Sequence, residues 1–213
     1  MEKKAYKTLL TRGKDELIIN KSRFLCYGAP AETEEQALEF LKQVRSVHQD
    51  ATHNCYAYAI GSNMGIMRYS DDGEPGGTAG MPIMEVLKAR QITNCVIVIT
   101  RYFGGFLLGA GGLVRAYSQS AVNAVNACGV GTVYPTARYL VEVPYTLLGR
   151  VEYLLKSQPV IIEDKTYADN VTLTLCLRCR DEERFLSDFT AGVDGKIEPF
   201  RAEELYMPWK ETE

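Results

Sequence analysis

The chain has 213 residues, 46% of them apolar and 24% charged, with a net charge of −3, the proportions of a globular protein long enough for two modest domains. No stretch approaches the ~18 apolar residues of a membrane span and no apolar signal core follows the N-terminus, so a cytoplasmic protein is expected. Six cysteines without framework spacing read as reduced thiols rather than as the staples of a secreted domain. The overall charge argues against a strong nucleic-acid footprint, but it is unevenly spread. Residues 1–136 carry 14 Lys and Arg against 12 Asp and Glu, whereas residues 137–213 carry 10 against 15. Any RNA surface is therefore expected in the N-terminal part, and by local clustering.

Residues 5–10, 15–19 and 22–28 read as short strands, broken at Arg12-Gly13-Lys14 and Asn20-Lys21, and together as a small antiparallel sheet. Thr33 starts a helix with Glu34 and Glu35 in its first turn and Ala37, Leu38, Leu41 and Val44 along one face, ending near Val47. Residues 52–60 and 66–69 form a second hairpin. An acidic glycine loop over residues 70–80 follows, then a helix with Pro82 in its first turn. Residues 95–100 are a continuous apolar strand, expected to be buried on both faces. A second glycine loop, with five glycines in residues 104–112, leads into a helix from Leu113 to Ala127, which Gly129 and Gly131 stop. Residues 130–136, with Pro135, read as a linker. Strands at 139–143, 160–167, 171–180 and 196–205, with helices at 145–156 and 181–190, make a β-α-β-β-α-β series.

The expected fold is therefore α+β with two domains, 1–136 and 137–213, the second a ferredoxin-like βαββαβ sandwich able to fold alone.

Function is sought in the two glycine loops. Glycine tolerates positive φ and lets a ligand approach the backbone, so the loop ahead of the helix at Leu113 is expected to present N–H groups to an anion. Gly109, Gly111 and Gly112, with Arg101 and Arg115, form the candidate anion or RNA site, and Tyr102 and Phe103 are candidate stacking platforms. Val114 breaks a dinucleotide fingerprint, and no Gly-Lys-Ser/Thr closes a Walker loop. His53 and Cys55 share a strand face, which makes a thiol dyad conceivable, but same-strand neighbours are spaced too widely for one. Asp71, Asp72 and Glu74 read as an acidic turn rather than a metal site, and together with Thr78, His53 and Cys55 they are placed in the pocket. Cys176 and Cys179 are read on one strand, on opposite faces, beyond disulfide reach. No catalytic residue, metal or cofactor is assigned.

Several stretches carry a resemblance: Lys21-Ser22-Arg23-Phe24; His48, Asp50, Ala51 and His53-Asn54-Cys55; Asp71-Asp72-Gly73-Glu74-Pro75 with Gly77-Thr78-Ala79-Gly80; Arg101-Tyr102-Phe103-Gly104-Gly105; and residues 109–117. The chain resembles the bacterial YigZ/YvyE family, related to the eukaryotic IMPACT proteins. It departs from the family pattern at Gly76, where members carry serine, and at Leu107, where they carry lysine. The resemblance implies a ribosomal protein S5 domain 2-like fold for residues 1–136. It also implies a non-enzymatic role in translation regulation, with RNA, the ribosome or a translation protein as partner. The rival expectation is a hydrolase or transferase acting on a phosphorylated or acidic substrate in the same pocket.

Overall fold

The chain is described here as a computed structural model over residues 5–210. It divides into two compact units, one running to Val133 and including the chain from Pro208 onward, the other Tyr134–Met207. The division thus falls a few residues before the expected boundary, and the last strand ends in the first unit. No helix among the described residues is long and apolar enough to cross a membrane.

The first unit contains β1 (Tyr6–Leu9), β2 (Gly13–Ile19), β3 (Ser22–Pro30), α1 (Glu34–Val47), β4 (His53–Ile60), β5 (Ile66–Ser70), α2 (Gly80–Arg90), β6 (Cys95–Tyr102) and α3 (Gly109–Cys128). Its main sheet has the order β2-β3-β6-β4-β5, antiparallel throughout. β6 is central, which accounts for its unbroken apolar run. Val96 and Val98 face α1, while Cys95, Ile97 and Ile99 face α2 and α3. Both faces of this antiparallel strand are covered, so alternation disappears.

α1 is capped by Thr33, whose Oγ1 accepts the Gln36 N–H at 3.3 Å, and Glu34 and Glu35 sit favourably at its positive end. Ala37, Phe40, Leu41 and Val44 are its buried residues. Leu38, expected on that face, is 47% exposed; Phe40 takes its place because the 3.6-residue period carries the stripe to i+3 and i+7 from Ala37. On the opposite side, the small residues Ala116, Ala121 and Ala124 bring α3 close to Phe24, Cys26 and Ile97.

Two local expectations are corrected. β1 pairs with the strand after α3, Tyr6 opposite Val133, and not with β2, so the opening is no three-stranded sheet. Residues 130–136 are no linker either but the start of β7 (Val130–Val143). Pro135 falls between the segment paired with β1 and the segment paired with β9.

In the second unit β7 continues into α4 (Tyr145–Leu155), β8 (Val160–Tyr167), β9 (Val171–Arg178), a 3₁₀ turn at Cys179–Asp181, α5 (Glu182–Gly192) and β10 (Phe200–Lys210). The five-stranded sheet has the order β1-β7-β9-β8, and β10 also pairs with β7. Val141, Val143, Leu173 and Leu175 point to one face and pack with Val151, Leu155, Phe185 and Phe189 of the helices. β9 stops before Cys179, so the expected strand to residue 180 is shorter, and β10 begins at Phe200 rather than at 196.

Candidate functional site

β6 carries Arg101 and Tyr102 at the end of the central strand, and the glycine loop then turns the chain into α3. Gly104 must be glycine: a Cβ there would lie 2.1 Å from the Lys21 carbonyl carbon. Gly109 is held at φ +69° with nothing within 4 Å of a built Cβ, so its conformation rather than packing selects the residue. α3 begins at Gly109, one turn before the expected Leu113, and the glycines belong to its first turn. Its N-cap, Leu108, provides no side-chain cap, and the first turn holds no acidic residue. These N–H groups and the positive end of a 20-residue helix are left without an anionic partner from the side chains.

That helix end forms one wall of a cavity of about 380 Å³. Leu107, Leu108, Ala110 and Leu113 line it from the loop and α3, together with Phe103 and Pro75. Polar groups enter from Thr52, His53, Glu74 and Arg101. Of the expected site residues, Arg101, Gly109, Phe103, His53 and Glu74 therefore meet at one place. Arg115, Gly111, Gly112, Tyr102, Cys55, Asp71, Asp72 and Thr78 do not line it.

Arg101 is not an accessible loop charge. Its side chain is 6% exposed and its Nη1 donates to Glu74 Oε1 at 2.7 Å, Glu74 itself being 3% exposed. The Tyr117 hydroxyl donates to the same oxygen at 2.7 Å. The guanidinium lies 5.4 Å from the Phe24 ring centre and 5.6 Å from that of Phe103. Its Nε is buried without a hydrogen-bond partner. Glu74 is thus a core carboxylate, held by two charge-assisted donors.

The other acidic residues are structural. Asp71 accepts the N–H groups of Gly77 at 2.8 Å, Ala79 at 3.0 Å and Gly80 at 2.8 Å, capping α2 from the preceding loop. Asp72 accepts the Asn54 N–H at 2.7 Å and pairs with Arg45 at 2.8 Å. Thr78 Oγ1 donates to the Pro75 carbonyl at 2.7 Å. Among the described residues no three His, Cys, Asp or Glu side chains converge to hold a metal.

His53 and Cys55 form no dyad. Cys55 Sγ lies 3.0 Å from the Asp71 carbonyl and 3.4 Å from the Tyr117 hydroxyl, and burial pushes its thiol up to about 12, the opposite of an activated nucleophile. His53 Nδ1 meets the Asp72 carbonyl at 2.8 Å, and its Nε2 lies 3.9 Å from Glu74 Oε2. A carbonyl only accepts, so Nδ1 carries the hydrogen, and in the corresponding uncharged tautomer Nε2 is the acceptor.

Tyr102 is committed elsewhere. Its hydroxyl donates to Asp50 at 3.1 Å and lies 2.9 Å from His48 Nδ1, while His48 Nε2 lies 2.7 Å from the Tyr27 hydroxyl. The chain of donors runs Tyr27 to His48 to Tyr102 to Asp50, fixing the imidazole tautomer. Phe103, 47% exposed, is the aromatic left open to a ligand. Arg115 is exposed one turn into α3. Cys176 lies on β9 and Cys179 in the following 3₁₀ turn, both free thiols.

A two-unit α/β protein with an uncapped helix end in an apolar cavity is therefore the class that fold and site define. The Impact N-terminal domain matches residues 20–125, and a domain of unknown function, DUF1949, matches residues 141–196. The chain is 38% identical to the IMPACT family member YvyE of Bacillus subtilis over 95% of this chain and 94% of that protein. It is 35% identical to the IMPACT family member YigZ of Escherichia coli, over 82% of this chain and 88% of that one. A crystal structure described only as that of a hypothetical protein superposes with a TM-score of 0.58 at 29% identity, covering 93% of this chain and 98% of that one. The chain belongs to the IMPACT family.

Proposed function

We propose that the chain is a non-enzymatic cytoplasmic factor in translation regulation. It binds RNA or a translation-related partner through the cavity at the start of α3, which accepts an anionic group. The theme of translation comes from the family resemblance. The observation that carries the binding role is the α3 N-terminus, left uncapped on the wall of a cavity. The same reading takes the first unit as ribosomal protein S5 domain 2-like and the second as ferredoxin-like, the latter supported by the path β7-β9-β8 and the pairing of β10 with β7. The Cys55 thiol, buried and pushed up to about 12, is not the nucleophile of a hydrolase or transferase.

Ala110→Glu tests the reading. Ala110 is exposed, the second residue of α3 and part of the cavity wall. A glutamate there suits the helix dipole by about 0.3–1 kcal/mol while supplying the anion the cavity would otherwise take from a ligand. Binding of single-stranded RNA and of purified ribosomal subunits by the intact protein is expected to weaken about tenfold or more in the variant. Equal binding by both proteins refutes the reading.

A further inference from the structure

Charge in the cavity nearly cancels. The Arg101 guanidinium is matched at 2.7 Å by the Glu74 carboxylate, both side chains more than nine-tenths buried, and Arg115 stands outside the lining. What remains is the helix end, worth about half an elementary charge. A phosphate monoester, carrying roughly −1.5 to −2 charges, would leave negative charge uncompensated against apolar walls. A single carboxylate would not.

The hydrogen-bonding groups add a pattern to that charge. Donors are the uncapped first-turn N–H groups of α3 and Arg101 Nε, which has no partner within the protein. The neutral acceptors are Thr52 Oγ1, which already takes the Phe103 N–H at 3.1 Å, and His53 Nε2, its tautomer set by the bond from Nδ1 to the Asp72 carbonyl. The rest of the wall is apolar, chiefly Leu107, Leu108 and Leu113. An apolar monocarboxylate with an N–H beside its acid group satisfies all three features, and that combination is the last residue of a polypeptide.

We propose that the cavity receives the C-terminal residue of a partner polypeptide ending in an apolar side chain, an assignment that rests on the binding role proposed above. The carboxylate sits on the first turn of α3 and reaches Arg101 Nε. The terminal backbone N–H donates to His53 Nε2, and the side chain packs on Leu108 and Leu113. The half-exposed Phe103 ring, 5.6 Å from the guanidinium carbon, is displaced as the residue enters. About 380 Å³ lies near the lower end of the ~300–1,000 Å³ of small-ligand sites, so the cavity takes a chain end and not a folded surface. Phe106 at 53% and Leu107 at 90% exposure leave an apolar collar for the residues that precede it.

Calorimetric titration of the intact protein tests this with N-acetyl-Gly-Gly-Leu, its C-terminal amide, N-acetyl-Gly-Gly-Asp, hexanoate and a single-stranded RNA. The free-acid leucine peptide is expected to bind, with the amide, the aspartate peptide and hexanoate each about tenfold weaker or worse. Ala110→Glu should abolish peptide binding. Leu107→Glu, at a rim position that no core packing depends on, is a second block should the first variant fail to fold. An amide as tight as the acid, or hexanoate as tight as the peptide, overturns the assignment. If RNA binds and the peptide does not, and Ala110→Glu stops the RNA, the chain-end assignment falls while the binding role stands. If peptide and RNA bind wild type and both variants alike, the cavity is not the site and both fall.

Discussion

Truncating Arg101 is expected to destabilise the first unit rather than merely weaken a surface. Arg101→Ala leaves the Glu74 carboxylate, 3% exposed, with the Tyr117 hydroxyl at 2.7 Å and no opposing guanidinium. It also removes the guanidinium from between the Phe24 and Phe103 rings. Breaking a buried pair by removing one partner typically costs ~3–5 kcal/mol, a large share of the ~5–15 kcal/mol that holds a domain folded. The double variant Arg101→Met with Glu74→Gln should recover most of that loss. It removes both charges together and keeps an acceptor for Tyr117, whose stranded hydroxyl would otherwise cost about 1–3 kcal/mol. Urea unfolding followed by Trp209 fluorescence reads the right part of the molecule, since this only tryptophan of the sequence belongs to the first unit. A loss below about 1 kcal/mol for Arg101→Ala would mean that the pair behaves as a solvated surface contact, and a double variant no better than the single one would refute the charge argument.

Leu107→Lys places an ammonium at a rim position that is 90% exposed; RNA binding should tighten, with its log–log salt slope steeper by about one, and coincident titrations at two salt concentrations refute it. Residues 134–210, which carry the core around Val141, Leu173, Phe185 and Phe189, should give dispersed amide shifts when expressed alone, whereas random-coil shifts would deny the unit its independence. Burial holds the His48 pKa below its ordinary value, so below about pH 6.5 the unfolded chain takes up a proton that the folded one refuses. Stability should therefore fall as pH drops through that window and stay level above it. His48→Gln should flatten the slope of urea midpoint against pH, and an unchanged slope would place the effect elsewhere.

Much of the architecture is legible because local physics agrees with it. The Thr33 cap, the α1 stripe and the alternation of Val171, Leu173 and Leu175 each state their own secondary structure. What escapes is non-local. Nothing in Tyr6–Leu9 tells that its partner lies past residue 129, because a strand's pattern specifies which face is buried and not which neighbour it takes. Pro135 reads as a break for the same reason: only the registers with β1 and β9 show that one strand runs through it. Tyr117 reads as one more aromatic at core spacing, yet its hydroxyl serves Glu74 at 2.7 Å, 43 residues away.

The site shows the same limit in sharper form. Asp71 and the Gly109 turn both read as features of glycine loops beside helix starts. Three N–H groups converge on Asp71 from Gly77, Ala79 and Gly80, so α2 carries its own anion and has no use for another. At α3 the N-cap Leu108, like Ala79 at α2, offers no side-chain oxygen, and its first turn holds no acidic residue. Of two helix ends built from similar sequence, one is closed by the chain and one is open to a cavity. That difference turns on where a carboxylate eight or nine residues upstream comes to rest, which composition cannot tell. Arg101 repeats the lesson with the opposite sign. Its place beside glycines suggests a free charge, whereas Glu74, 27 positions away, neutralises it within the core. The candidate ligand shifts accordingly, from a highly charged phosphate toward a group whose single charge the helix end can balance.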